Sequence, residues 1–134
     1  MTEPAAGQMK ALVDRLFFLT KSGSLDWKVI PAFGDESEQY SVRIGSNTVY
    51  LRGYTDPLDD NFECEVIIKD MGAKEVDRFG GSDLKDFEPP ASLGDGYWQA
   101  LRTLYKMAGR NARGSDKVLD EILSALNNKD NEPF

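Results

Sequence analysis

The sequence predicts an α+β domain: an antiparallel β-meander of four to five strands, with an N-terminal helix and two C-terminal helices packed on one face. Three observations support this prediction. Apolar residues recur at helical spacing near both ends of the chain, they alternate with polar residues in the middle, and short turn sequences separate the middle segments. The 134 residues are the usual size of one domain.

The first helix is predicted from Met9 to about Thr20, because its apolar residues recur every three or four positions. These residues are Met9, Leu12, Val13, Leu16, Phe17 and Leu19. Residues 1–8 are expected to form a flexible leader, so that the folded domain covers residues 9–127. The sequence KSGS ends the helix, since Gly23 suits the left-handed conformation of a helix C-terminus.

The next segment, LDWKVIP, is predicted to be a short first strand, although its alternation is imperfect. Two interpretations of Trp27 remain open. The indole either anchors the first helix to the sheet from within the core, or it is an exposed contact for a partner.

The middle of the chain contains the clearest strands. QYSVRIG and TVYLRGY alternate on either side of Gly-Ser-Asn and predict a hairpin. FECEVIIKD predicts a further strand with Phe62, Cys64, Val66 and Ile68 on one face. A two-residue turn at Met71 and Gly72 then leads into AKEVDRF, a last strand with Val76 as its apolar centre.

A loop over residues 80–96, rich in Gly, Pro and Asp, connects the sheet to two helices. The apolar face of the first helix contains Trp98, Leu101, Leu104, Tyr105, Ala108 and Ala112. A second helix starts at Ser115 or Asp116 and has its own apolar face: Val118, Leu119, Ile122, Leu123 and Leu126. Residues 128–134 are expected to form a flexible tail.

Composition excludes several classes of protein. Cys64 is the one cysteine and there is no histidine, which excludes an internal disulfide, Ser-His-Asp and Cys-His catalysis, and imidazole metal ligation. We therefore expect no metal and no cofactor. No apolar run approaches the roughly 20 residues of a membrane helix. The N-terminus lacks the features of a secretory signal, which favours the cytoplasm.

The net charge of −7 is concentrated in residues 32–96, which carry six basic and fifteen acidic groups. Because affinity for nucleic acid depends on Lys and Arg neutralising phosphates, nucleic-acid binding is disfavoured. The acidic run TDPLDDNFECE lacks the ligand spacing of an EF-hand and is typical of a soluble sheet edge.

Four basic residues share one face of the first C-terminal helix, within about 80° of arc. They are Arg102, Lys106, Arg110 and Arg113. One interpretation is the solvated face of an amphipathic helix. The other is a docking strip for an acidic partner or a phosphate group.

FLTKSGSLDW and ALRTLYKMAGRNARGSDKVLDEILSAL resemble segments of small bacterial and phage α+β domains of unassigned function. Those domains combine an L-T-x-x-G-x-L-x-W start with an L-x-x-L-Y-x-x-A-R-R helix and a closing V-L-D-E-I-L segment. The resemblance covers both ends of the chain and not its middle. Ala108-Gly109-Arg110 stands where the pattern has Ala-Arg-Arg. The resemblance implies the fold and a bacterial or phage setting, and no activity.

Together these patterns predict a non-enzymatic, acidic protein-binding or regulatory module of the immunity-protein, antitoxin or chaperone type, since an acidic surface attracts basic partners. The predicted binding residues are the four basic residues and Trp27. Two alternatives stay open. One is a small-ligand binding domain that uses the 80–96 loop, and the other is an enzyme that uses carboxylates such as Asp83, Asp86 and Glu88.

Overall fold

The computed structural model describes residues 3–32 and 37–130, and it has the predicted α+β architecture. Helix α1 precedes a five-stranded antiparallel sheet, and helices α2 and α3 follow the sheet. The helices are α1 (Glu3–Lys21), α2 (Tyr97–Ala112) and α3 (Ser115–Asp130). The strands are β1 (Lys28–Ile30), β2 (Gln39–Ile44), β3 (Asn47–Thr55), β4 (Phe62–Lys69) and β5 (Glu75–Gly80).

The sheet is a meander, with the strands in the order β1-β2-β3-β4-β5. The predicted β2–β3 hairpin is confirmed: Ile44 pairs with Asn47 across a two-residue turn, in which Gly45 has a φ of 63°. The turn between β4 and β5 is longer than predicted, because Lys69 pairs with Glu75. There the Asp70 carboxylate accepts hydrogen bonds from the backbone N–H groups of Gly72 and Lys74, each at 3.0 Å.

The core lies between one face of the sheet and the helices α1 and α2. Tyr40, Leu51, Val66 and Phe79 supply it from four neighbouring strands. The helices contribute a larger set, which includes Met9, Val13, Leu16 and Phe17 from α1 and Tyr97, Ala100, Leu101, Leu104 and Ala108 from α2. The apolar faces predicted for these two helices are therefore largely buried, but Trp98, predicted on the face of α2, is 40% exposed and lies outside the core.

Both ends of the folded region extend further than expected. Residues 3–8, expected in the flexible leader, are the first turns of α1. Their small residues leave no apolar period to detect, and Pro4 is tolerated because the first turn of a helix has no hydrogen-bond partner for its N–H groups. Helix α3 continues to Asp130, so residues 128–130 of the expected tail are helical. The rest of the expected leader and tail lies outside the described residues.

Helix α3 differs from the prediction in its packing. It was expected to lie on the sheet together with α2, but every described residue from 116 to 129 is exposed. Gly114, with a φ of 67°, separates α2 from α3 and allows the chain to change direction. Within the two described ranges, no helix is long and apolar enough to cross a membrane.

Candidate functional site

Trp27 lies in the core and not on a surface. It precedes β1 instead of forming part of the first strand, and only 1% of it is exposed. Its indole N–H donates to the Thr20 hydroxyl of α1 at 3.0 Å, and its backbone N–H donates to the Asn111 side-chain oxygen of α2 at 2.8 Å. The residue therefore joins both helices to the start of the sheet. Its burial agrees with the core interpretation of Trp27 and disagrees with the interpretation as an exposed contact for a partner.

The four predicted basic residues of α2 make different contacts. The Arg102 guanidinium lies over the ring of Trp98, 4.6 Å from its centroid, and its Nε is buried without a hydrogen-bond partner among the described residues. Arg110 pairs with Asp116 of α3 at 2.5 Å. Lys106 is exposed and makes no ion pair within the described part of the chain.

Arg113, which follows the last residue of α2, is turned toward the sheet. Its guanidinium donates to the Tyr40 hydroxyl at 2.6 Å and lies 3.5 Å from the Glu38 carboxylate. Half of its side chain is exposed. Three of the four predicted residues thus lie in α2 and Arg113 lies just after it, and Arg102, Arg110 and Arg113 contact neighbouring parts of this same protein.

We expect the double charge reversal Lys106→Glu with Arg110→Glu to change the free energy of unfolding by less than about 1 kcal/mol. The Arg110–Asp116 pair is well exposed, and such pairs contribute little. Chemical denaturation measures this change. A docking role for these residues would show separately, as a loss of partner affinity at unchanged stability together with affinity that falls as salt is added.

Helix α3 carries the largest uncovered apolar surface of the described residues. Five side chains share about 140° of its circumference, and each is between 48% and 56% exposed. We call this set the α3 apolar face: Val118, Leu119, Ile122, Leu123 and Leu126. Their periodicity is visible in the sequence, but periodicity alone does not show whether a helix face is covered.

The sheet face opposite the core has polar side chains that pair with one another. Glu65 accepts hydrogen bonds from Arg52 at 2.7 Å and from Arg78 at 2.9 Å. Tyr54 donates to Glu63 at 2.7 Å, and this hydrogen bond, with partial burial, raises the pKa of Tyr54 to about 12. The phenol thus stays a donor across the neutral pH range. This face presents few unpaired groups for a ligand.

A cleft of about 250 Å³ lies where this sheet face meets Trp98 and the start of the 80–96 loop. Its volume is below the roughly 300–1,000 Å³ of typical small-molecule sites. Of the three loop carboxylates, Asp83 lines the cleft and accepts a hydrogen bond from the backbone N–H of Gly80 at 3.0 Å. Asp86 and Glu88 are not among the residues that line it. The structure does not bring the three carboxylates together as a site.

Cys64 is 3% exposed, and burial raises the pKa of its thiol, which disfavours the reactive thiolate. In the acidic β3–β4 turn, Asp56 and Asp59 accept hydrogen bonds from the backbone N–H groups of Leu58 and Asn61. Residues 3–32 and 37–130 contain no cluster of three or more side chains suited to hold a metal ion.

The chain was compared with protein-family models, with curated proteins and with solved structures, and none of them matches it. The case for a functional site therefore depends on the geometry described above.

Proposed function

We propose that this protein is a non-enzymatic, acidic protein-binding module of the immunity-protein, antitoxin or chaperone type, acting in a bacterial or phage-infected cytoplasm. We further propose that the α3 apolar face is its contact surface for another polypeptide chain. The half-exposed state of five large apolar side chains on one helix carries this proposal. Contiguous apolar patches of this kind mark protein interaction sites, and amphipathic helices bind by laying such a face against a partner.

Energetics support the same conclusion. Helix α3 has 16 residues, and helices in proteins gain most of their stability from tertiary packing of an amphipathic face. Fully burying one aliphatic side chain stabilises a protein by roughly 1.5–3 kcal/mol. Covering the exposed halves of five such side chains therefore contributes on the order of 5 kcal/mol, before the entropic cost of association is subtracted.

Charge and residue composition support the proposal that the protein is acidic, binds proteins and is not an enzyme. The net charge of −7 is concentrated in residues 32–96 and not in α3, and it favours encounters of that acidic part of the chain with basic partners. The chain has no histidine for general acid–base catalysis near neutral pH. The ligand-binding alternative is less well supported, because Asp83 and Glu65 in the cleft are hydrogen-bonded to the protein itself.

Photo-cross-linking in cells tests whether α3 contacts another chain. A photoreactive amino acid at Leu123 should give covalent protein adducts on irradiation, because this side chain lies in the α3 apolar face. The same amino acid at Ser124, one residue further and on the opposite side of the helix, is the matched control and should give far fewer. Equal adduct yields at the two positions, or none at either, would contradict the proposed contact surface.

A further inference from the structure

We infer that the chain covering the α3 apolar face is a second copy of this protein, with the two α3 helices antiparallel about a two-fold axis. The inference rests on the proposed function, since it names the occupant of the same surface. A two-fold interface requires a patch that is complementary to itself. The α3 apolar face meets this requirement in its residue spacing, its flanking residues and its area.

The spacing of the face is self-complementary. When the two-fold axis passes between Ile122 and Leu123, antiparallel pairing sets Leu119 opposite Leu126 of the second copy. It also sets Ile122 opposite Leu123 of the second copy. At a rise of about 1.5 Å per residue, the contact runs for roughly 12 Å along each helix. The helix dipoles then point in opposite directions, which is the favourable arrangement for neighbouring helices.

The flanks of the face allow two copies to approach despite their equal charge. Between Val118 and Leu126, every residue within about 120° of the centre of the face is uncharged. Asp120 and Glu121 lie further round, on the side away from the contact. A partner with a basic groove would gain little electrostatic attraction from these uncharged flanking residues. A second copy meets them without bringing like charges together.

The exposed area is also sufficient. Five side chains at about half exposure present on the order of 450 Å² per copy, the size of the largest apolar patch on a typical monomer, which is often functional. Two copies together bury about twice this apolar area. The flanking residues bring the total to about 1,000 Å², the lower bound for a specific interface. We therefore expect a dimer of moderate affinity that dissociates on dilution.

Sedimentation equilibrium on the full chain tests the inference. The average mass should rise with concentration from the 15.0 kDa of one copy toward about twice that value. Ile122→Glu should weaken dimerisation at least about tenfold, because it places a charge at the centre of the apolar contact. Ser124→Glu adds the same charge on the opposite side and should leave the dimerisation constant within about twofold. A cooperative thermal unfolding transition, compared at a concentration low enough for every protein to be monomeric, shows that each variant keeps its fold.

Disulfide trapping tests the orientation. A mixture of Leu119→Cys protein and Leu126→Cys protein should form mixed disulfide dimers when an oxidant is added, whereas each variant alone should not. The native Cys64 does not interfere because it is buried. Cross-linking of Leu119→Cys with itself would instead show a parallel pair and overturn the antiparallel arrangement.

The outcomes separate the inference from the proposed function. A chain that stays monomeric at all concentrations, or a dimer that Ile122→Glu does not weaken, overturns the inference. If the photoreactive residue at Leu123 then gives adducts of other masses, the proposed function stands with a different partner. If no adducts form at Leu123, both proposals fail. Adducts whose mass equals two copies of this chain, and which disappear in the Ile122→Glu variant, support both proposals.

Discussion

Replacing Trp27 by Ala is expected to lower the free energy of unfolding by about 3–5 kcal/mol, the usual cost of truncating a fully buried large aromatic side chain. The indole is 1% exposed and packs where α1, α2 and the first strand meet. Its removal also leaves the Thr20 hydroxyl, which is 5% exposed, without its hydrogen-bond donor. Urea denaturation followed by circular dichroism measures the loss.

Trp98 provides the matched control, because the same substitution there removes an indole that is 40% exposed. Trp98→Ala should cost clearly less than Trp27→Ala. An equal decrease in the free energy of unfolding for the two variants would show that the buried Trp27 side chain does not anchor the helices. Trp27→Phe keeps an aromatic ring but removes the N–H donor, so its smaller loss measures the Thr20 hydrogen bond together with the volume difference.

Gly109→Ala is expected to destabilise the protein by about 1–3 kcal/mol, the usual cost of overpacking a core. This sign is opposite to the normal effect, since Ala is favoured over Gly inside a helix by about 1 kcal/mol. The added Cβ would lie 2.7 Å from the Tyr40 hydroxyl oxygen. Tyr40 has little room to move, because it is 2% exposed and its ring lies 4.9 Å from that of Tyr105.

Gly7→Ala is the control for this second prediction. Gly7 lies inside α1, and a Cβ there meets nothing within 4 Å. The substitution should therefore raise the melting temperature, while Gly109→Ala lowers it. A stabilising Gly109→Ala would mean that α2 can shift away from β2. The same crowding leaves no room at position 109 for any longer side chain.

The sequence predicts the helices and strands better than it predicts the tertiary contacts between them. The turn at Gly45 and the alternation on both sides of it determine the β2–β3 hairpin locally, so the hairpin could be read correctly. Trp27 was harder to place, because a three-residue edge strand leaves too little alternation to count. Its burial depends on contacts with Thr20 and Asn111, and the second of these is 84 residues away in the chain.

The candidate site shows the same limit. The helical spacing predicts one basic face, but Arg113 follows the end of α2 and its acceptors come from β2 and from the segment before it. Such long-range pairs leave no periodic signal in a sequence. The five apolar positions of α3 have the predicted helical spacing, but the structure leaves them exposed instead of packing α3 on the sheet. The sequence does not distinguish the two cases, since a covered and an uncovered amphipathic helix have the same pattern.

The meander order of the sheet has a kinetic consequence. Each strand pairs with its neighbour in the sequence, so every step of sheet formation closes a short loop and loses little chain entropy. Docking of α1 on α2 is different, because it joins residues 3–21 to residues 97–112 across the entire sheet. We expect the β2–β3–β4 region to form early in the folding transition state. The Trp27 bridge between the helices should form late, so that its loss mainly accelerates unfolding.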